Sequence, residues 1–429
     1  MPTGMTFTDI SAILTEINKA ATGQELTSPI INTADFVSVA TATLLTGYDN
    51  LCNAISQVQT RTTFAVRPYN PQFRALQMDG SAYGNHTRKI NYIDTEPVKD
   101  MSYALPTDGT STGVDPFEVH RPKVLQTNFY GQVNYSRVYS QGRVQLNSAF
   151  TGPEQLMEFW SAFTMHYSNM RAQDDENLCR NLIANYMGGL TKTTTGAVYY
   201  LLDEYNAMTG GSLKATDVYK PANFPDFARF AYGRIKDVSD MLQARSINNH
   251  QNWTIGGTKY NIMRHTPKAM QHLYLFSQTQ HQINARVLSD TFHDSRLEYG
   301  SFEMVPYWQN IGDRDSIQVT PIYTNTDGTQ KTDGGNVGLA NIFAFIHDRD
   351  AIGYTPIASN VDSIYNPRAQ YTNFWGHYGY RWYNDFTENS ALFLLTSADV
   401  TAPAALSAAA ARMKKVMNIT DPDPDKAAK

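Results

Sequence analysis

Between residues 151 and 189 the apolar side chains fall three and four apart. Leu156, Trp160, Phe163, Tyr167 and Met170, then Leu178, Leu182 and Tyr186, draw one stripe along a helix. Thr151-Gly152-Pro153-Glu154 supplies a capping box with proline in the first turn, which predicts the start. Gly188-Gly189 offers a left-handed stop. At ~1.5 Å per residue such a helix runs about 50 Å, far longer than an average globular helix. Its middle departs from the pattern, because the stripe passes through Asp174-Asp175-Glu176. Two readings stand: a solvated stretch, or a rod lying across a surface and meeting neighbours at its two ends. A coiled coil fits less well, since no heptad is sustained.

Ahead of this helix the pattern first gives two short helices. Ile10, Ile13, Leu14 and Ile17 share a face after Thr8, and Phe36, Val39, Leu44, Leu51, Ile55 and Val58 follow Thr33. Neither has an obvious local partner, so this arm is expected to pack on a body formed later in the chain or on another copy. From 84 to 139 the pattern turns extended. Arg88-Lys89-Ile90-Asn91-Tyr92-Ile93 leads outward, and Phe117, Val119, Val124, Phe129, Val133, Tyr135 and Val138 lead back, around a tip at 106–116 made of turn residues. The outward arm is mostly polar and a lone two-stranded ribbon is marginal in water, so a partner surface outside the subunit is expected. Arg88, Lys89, Ile90, Tyr92, Phe117 and Val119 become the candidate inter-subunit residues. Leu156, Trp160, Phe163 and Tyr167 become the candidate packing face of the long helix.

Residues 190–225, rich in Gly, Thr and Pro, read as connection. Phe227, Phe230, Ala231, Val238, Met241 and Leu242 mark an amphipathic helix, followed by short strands and helices in mixed order through Val305, including a helix opened by Thr266-Pro267. The stretch 324–338 is a surface loop by composition. Strands return at 342–346, 371–383 and 391–395 and are expected to pack against the long helix. An alanine-rich helix over 404–416 and an acidic tail at 421–425 close the chain.

Composition sharpens this. Charged residues make up 17% of the 429, while 26 Tyr and 20 Phe are present, which leaves a neutral polar surface suited to extensive protein contacts or a tyrosine-rich core. A net charge of -5 without a Lys/Arg-dense segment argues against a strongly basic nucleic-acid surface. Cys52 and Cys179 lie too far apart for a metal spacing or a disulfide framework and are expected as buried thiols. No leader pattern opens the sequence, and no apolar run is long enough to cross a membrane.

No catalytic constellation emerges. There is no G-x-S-x-G elbow, Walker lysine or dinucleotide turn. His265, His272, His281 and His293 are separated by seven, nine and twelve positions, unlike helical or zinc spacings. His347-Asp348-Arg349-Asp350 could form a small acid/base cluster, though alternating charges in a turn are the commoner meaning. No metal ion or cofactor is expected.

The order of arm, ribbon, long helix, mixed block and returning strands resembles the major capsid proteins of tailed double-stranded DNA phages, the α+β Hong Kong 97 fold, and at residue level the head proteins of small picovirus-like podoviruses. The likeness is carried by Met263-Arg264-His265-Thr266-Pro267, Val287-Leu288-Ser289-Asp290-Thr291-Phe292 before Phe302-Glu303-Met304-Val305, His347-Asp348-Arg349-Asp350, Tyr365-Asn366-Pro367-Arg368 and Asn389-Ser390-Ala391-Leu392-Phe393. The resemblance implies an N-terminal arm over 1–70, an E-loop with flanking strands over 71–140, and a P-domain over 141–204 and 355–400 with its spine helix at 151–188. It further implies an A-domain over 205–354 and a tail over 401–429. It implies a non-enzymatic shell protein that forms pentamers and hexamers around double-stranded DNA bound without sequence specificity. A separate scaffolding protein and a portal protein would be partners, with assembly in the host cytoplasm and residence in the virion. Cross-linking through Lys89 or Lys99 stays open. The alternatives are an encapsulin-like compartment shell and a hydrolase using Asp348 and Asp350.

Overall fold

The structure, a computed structural model, describes residues 7–26, 29–45, 72–78, 87–93, 123–143, 153–286, 302–331 and 335–401. Its contacts divide the chain into two compact units, the first built from 1–87, 128–180 and 353–383, the second from 88–127, 181–352 and 384–429.

In the first unit, helices α1 (Phe7–Thr22) and α2 (Thr33–Leu45) pack on each other. Ile10, Leu14 and Ile17 are fully buried with Phe36 and Ala40, and the Phe7 and Phe36 rings lie 6.4 Å apart. Asn18 Nδ2 donates to the Thr43 hydroxyl at 2.8 Å inside this contact. The helices are thus each other's partner, contrary to the expectation of an arm without one. Asn32 caps α2, its side-chain oxygen accepting the Asp35 amide at 2.9 Å.

The long helix, α3, runs Pro153–Thr193, about 60 Å, and contributes residues up to 180 to the first unit and the rest to the second. It passes straight through Gly188-Gly189. A Cβ at Gly188 would stand 2.6 Å from Val319 Cγ1, and one at Gly189 2.5 Å from Phe386 Cε1. The glycines let neighbours approach the helix; they do not end it.

A three-stranded sheet, ordered β14 (Ile352–Asn366), β15 (Tyr371–Asn384) and β3 (Gly131–Gly142), completes the first unit. Phe374, Tyr378 and Tyr380 of β15 alternate onto its buried face, and Tyr139 stacks on Phe374 at 5.1 Å. Tyr167, half-buried, lies against the gap left by Gly376, where a Cβ would be 2.8 Å from the tyrosine oxygen. Leu156, Trp160 and Phe163 lie outside the described side chains. β14 holds Pro356 and many polar residues, which its edge position tolerates.

The second unit is organised around a five-stranded sheet, β4 (Val198–Tyr200), β16 (Ser390–Leu394), β13 (Ile342–Asp348), β7 (Gln271–Phe276) and β8 (Glu303–Val305) in that order. One face buries Leu273, Leu275, Ile346 and Phe393 against α4 (Leu201–Thr209) and α5 (Phe224–Met241). Helix α5 follows its predicted stripe at Phe227, Ala231, Val238 and Leu242, joined by Phe224 and Ile235, but Phe230 is only half-buried and Met241 is exposed; each large buried apolar side chain contributes about 1.5–3 kcal/mol. On the other face Tyr186 of α3 lies 5.9 Å from Phe345 and stacks on Phe386 at 4.7 Å. Residues 190–225, expected as connection, therefore hold a core helix, since Leu201 and Leu202 are buried. The opening at Thr266-Pro267 makes only a single 3-10 turn, Lys268–Met270. Helix α6 (Ser277–Arg286) follows β7. Smaller sheets are the ribbon β1 (Thr87–Ile93) with β2 (Lys123–Phe129), the hairpin β5 (Trp253–Ile255) with β6 (Thr258–Tyr260), and β9 (Ile317–Val319) with β12 (Val337–Leu339) and β17 (Val400–Thr401). Strands β10 (Tyr323–Thr324) and β11 (Gln330–Lys331) give the expected 324–338 loop a short ladder of its own.

Candidate assembly surface

Strand β1 alternates in an inverted sense. Lys89, Asn91 and Ile93 turn toward the body of the second unit, while Arg88, Ile90 and Tyr92 are exposed, Ile90 at 49% and Tyr92 at 70%. The inner face is anchored in three ways. Ile93 and Leu125 bury against Trp253 and Ile262. Asn91 accepts Arg264 Nη2 at 2.5 Å. Lys89 Nζ reaches the carboxylates of both Asp385 and Glu388, and Arg264 lies 3.2 Å from Glu388.

The ribbon therefore does pack on its own chain, which corrects the expectation that it lacks a face for doing so. Composition hid this because two of the three inward residues are polar, and their partners sit about 170–300 positions away in sequence. Lys89 is spent within the chain and leaves the candidate contact set. Arg88, Ile90 and Tyr92 present one outward face with Val124 of β2, which is also exposed. Phe117, Val119 and Lys99 lie outside the described residues. The 385–388 turn that receives Lys89 is itself built by Asp385, whose Oδ1 accepts the Thr387 amide at 2.9 Å and hydroxyl at 2.7 Å. Burial raises the Glu388 carboxyl above its ordinary range, with Lys89 and Arg264 opposing.

In the first unit the acidic middle of α3 is wired, not solvated. Asp174 takes both arms of Arg137 from β3, Nε to Oδ2 at 2.7 Å and Nη2 to Oδ1 at 2.5 Å, and accepts the Tyr378 hydroxyl. Asp175 accepts the Tyr380 hydroxyl. Glu176 is buried and pairs with Arg180 at 2.5 Å, while Arg180 also donates to Gln72 at 3.1 Å and stands over the Phe73 ring. Hydrogen bonding to the Asp174 carboxylate holds the Arg137 guanidinium still more firmly charged. Asp174 and Asp175 thus tie α3 to β3 and β15, and Glu176 holds Arg180 of its own helix, an arrangement the sequence showed only as a break in a stripe.

The residues considered for acid/base chemistry do not converge. Asp348 is buried, accepts the Thr266 hydroxyl at 2.6 Å and the Asp350 amide at 3.0 Å, and so caps its own turn, while Asp350 is exposed. Among the described residues no three His, Cys, Asp or Glu side chains gather as a metal site, and no helix is long and apolar enough to cross a membrane.

A long helix backed by a three-stranded sheet, a separate five-stranded α+β unit and an anchored ribbon with an apolar outer face define a capsid-type subunit of the Hong Kong 97 fold. The fold is similar to a chain of the capsid of Staphylococcus phage Andhra, with 11% identity, 78% of this chain and 86% of that chain covered, and a TM-score of 0.50. It is equally similar to a chain in the structure of the head fiber and inner core protein of native bacteriophage P68, with 12% identity, 78% and 87% covered, and a TM-score of 0.50. No curated protein matches the sequence. The family model for Phi29-like phage major capsid proteins matches residues 12–394, and the chain belongs to that family. It forms the shell of a phage virion.

Proposed function

We propose that copies of this chain meet as pentamers and hexamers, and that the outward face of the ribbon, Arg88, Ile90 and Tyr92, lies on a neighbouring copy. The carrying observation is the alternation of β1, whose Ile90 and Tyr92 point away from the body that holds Lys89, Asn91 and Ile93. Phe117 and Val119, outside the described residues, belong to the same proposed contact set. The divisions expected from sequence, 1–70, 71–140, 141–204 with 355–400, 205–354 and 401–429, serve as arm, E-loop, P-domain, A-domain and tail. The chain carries out no catalysis, assembles in the host cytoplasm with a separate scaffolding protein and a portal protein, and encloses double-stranded DNA without sequence specificity.

Burying Ile90 or Tyr92 at such a contact is worth about 1–2 kcal/mol per copy. A Tyr92→Glu chain should keep its thermal unfolding profile, while its assembly threshold, read by mass photometry with scaffold supplied, rises roughly tenfold or more. Lys89→Ala should instead lower the stability of the unassembled chain. Shells forming at the ordinary threshold with both Ile90 and Tyr92 replaced by Glu would refute the reading.

A further inference from the structure

One buried group lies inside the five-stranded sheet, away from the ribbon's outward face. In the five-stranded sheet His347 of β13 stands opposite His272 of β7 in register, the rings 5.4 Å apart and within 10° of parallel. His347 is fully buried, with the Tyr274 and Phe345 rings 5.5 and 5.3 Å away. Its Nδ1 lies 2.7 Å from the Asp348 carbonyl oxygen, which assigns the proton to Nδ1 and leaves Nε2 a bare acceptor without a hydrogen-bond partner among the described residues. An imidazolium at this place would carry an Nε2–H with no acceptor among the described residues, its charge held beside a second, stacked imidazole 5.4 Å away.

The groups facing the pair come from every packed element. β7 brings His272 and Tyr274, and β13 brings Phe345 and Asp348, with Arg349 just past its end. β16 places Ser390 opposite His347. α3 brings Tyr186 beside Phe345, and the turn before β7 brings Thr266, whose hydroxyl occupies the Asp348 carboxylate. Burial holds the His347 imidazole down to about 3, and burial followed by Arg349 holds His272 below its ordinary value.

We propose that the stacked His272–His347 pair is an acid-sensitive latch in this sheet, closed while both rings are neutral and opened when they take up protons. The sign follows from linkage. Because the folded chain resists protonation and the unfolded chain accepts it near the ordinary histidine value of ~6.5, the stability is complete above that value and is lost as pH falls from it toward about 3. For His347 alone, the unfolding equilibrium constant rises roughly 30-fold by pH 5. Glu303 and Glu388 act in the opposite sense: burial raises both, so their protonation favours the folded chain as pH falls.

The test is independent of how copies meet. Urea unfolding of the unassembled full chain at pH 7.5 and 5.0 should show a loss of at least tenfold in the folding equilibrium. Hydrogen exchange, corrected for intrinsic rates, should show β7 and β13 opening before α5. His347→Gln should shrink the pH difference, with His272 and His250, which burial also holds below the ordinary value, supplying the remainder. Should that chain not fold, His272→Gln, at a half-buried position, should still shrink it measurably. An unchanged pH difference in the folded variants, or acid opening that begins away from β7 and β13, overturns the proposal.

Discussion

Replacing Gly189 by alanine tests whether the paired glycines of α3 are packing positions. In an open helix Gly→Ala gains up to about 1 kcal/mol, by restricting the unfolded chain and removing the propensity penalty. Here the added Cβ would stand 2.5 Å from Phe386 Cε1, where carbon contacts normally need about 3.5–4.0 Å. Phe386 would have to retreat by about 1 Å. It is stacked on Tyr186 at 4.7 Å and 12°, and Tyr186 is itself fully buried, donating its hydroxyl to the Asp385 carbonyl at 3.2 Å. Overpacking of this kind costs about 1–3 kcal/mol, so the net loss should be about 1–2 kcal/mol. Gly233 of α5 supplies the control within the same unit: nothing lies within 4 Å of its Cβ position, and Gly233→Ala should gain about 0.5–1 kcal/mol. Urea denaturation of the unassembled chain measures both on one transition. Two substitutions that stabilise alike would refute the packing argument and restore the glycines as a mere sequence accident.

Asp174→Asn should cost about 2 kcal/mol, since it strips the charge from a bidentate pair whose carboxylate side chain is only 15% exposed; a solvated residue would cost almost nothing, and denaturation separates the two. Burial pushes the Cys179 thiol up to about 12, so in a Cys52→Ser chain at pH 8 a disulfide reagent should label it roughly a thousandfold more slowly than an unfolded thiol; labelling at the free rate would mean the first unit opens readily.

How far these features could be read from sequence depends on the reach of the signal that carries them. Helices α3 and α5 were legible because their stripes repeat within one element. The buried end of α3 followed its stripe, with Leu178, Leu182 and Tyr186 all inside. What failed was whatever needed a distant partner. Asp174, Asp175 and Glu176 look like a solvated break until Arg137, Tyr378, Tyr380 and Arg180 arrive, three of them from strands in other parts of the chain. Gly188-Gly189 reads as a stop because local chemistry cannot distinguish a left-handed turn from a place where Phe386 comes close. β14 was hidden by Pro356 and by an edge position that asks for no apolar alternation. The apolar code of α1 and α2 was plain, but nothing in it said that the two faces were meant for each other.

The ribbon shows why the same limits matter for function. A two-stranded sheet is marginal alone, and the usual remedy is an apolar inner face. Here that face is supplied largely by Lys89 and Asn91, held through Asp385, Glu388 and Arg264, with Ile93 and Leu125 adding a small apolar cluster. Charged anchors of this kind hold weakly compared with a core, because each must be stripped of water before it is paired. They do allow the apolar side chains to be placed elsewhere. A strand built the ordinary way would bury Ile90 and Tyr92 and offer solvent a polar face with nothing to hold a neighbour. Turned inside out, it keeps its register on its own body through Lys89, Asn91 and Ile93 and leaves Ile90 and Tyr92 exposed, the two side chains that the proposed contact between copies would use.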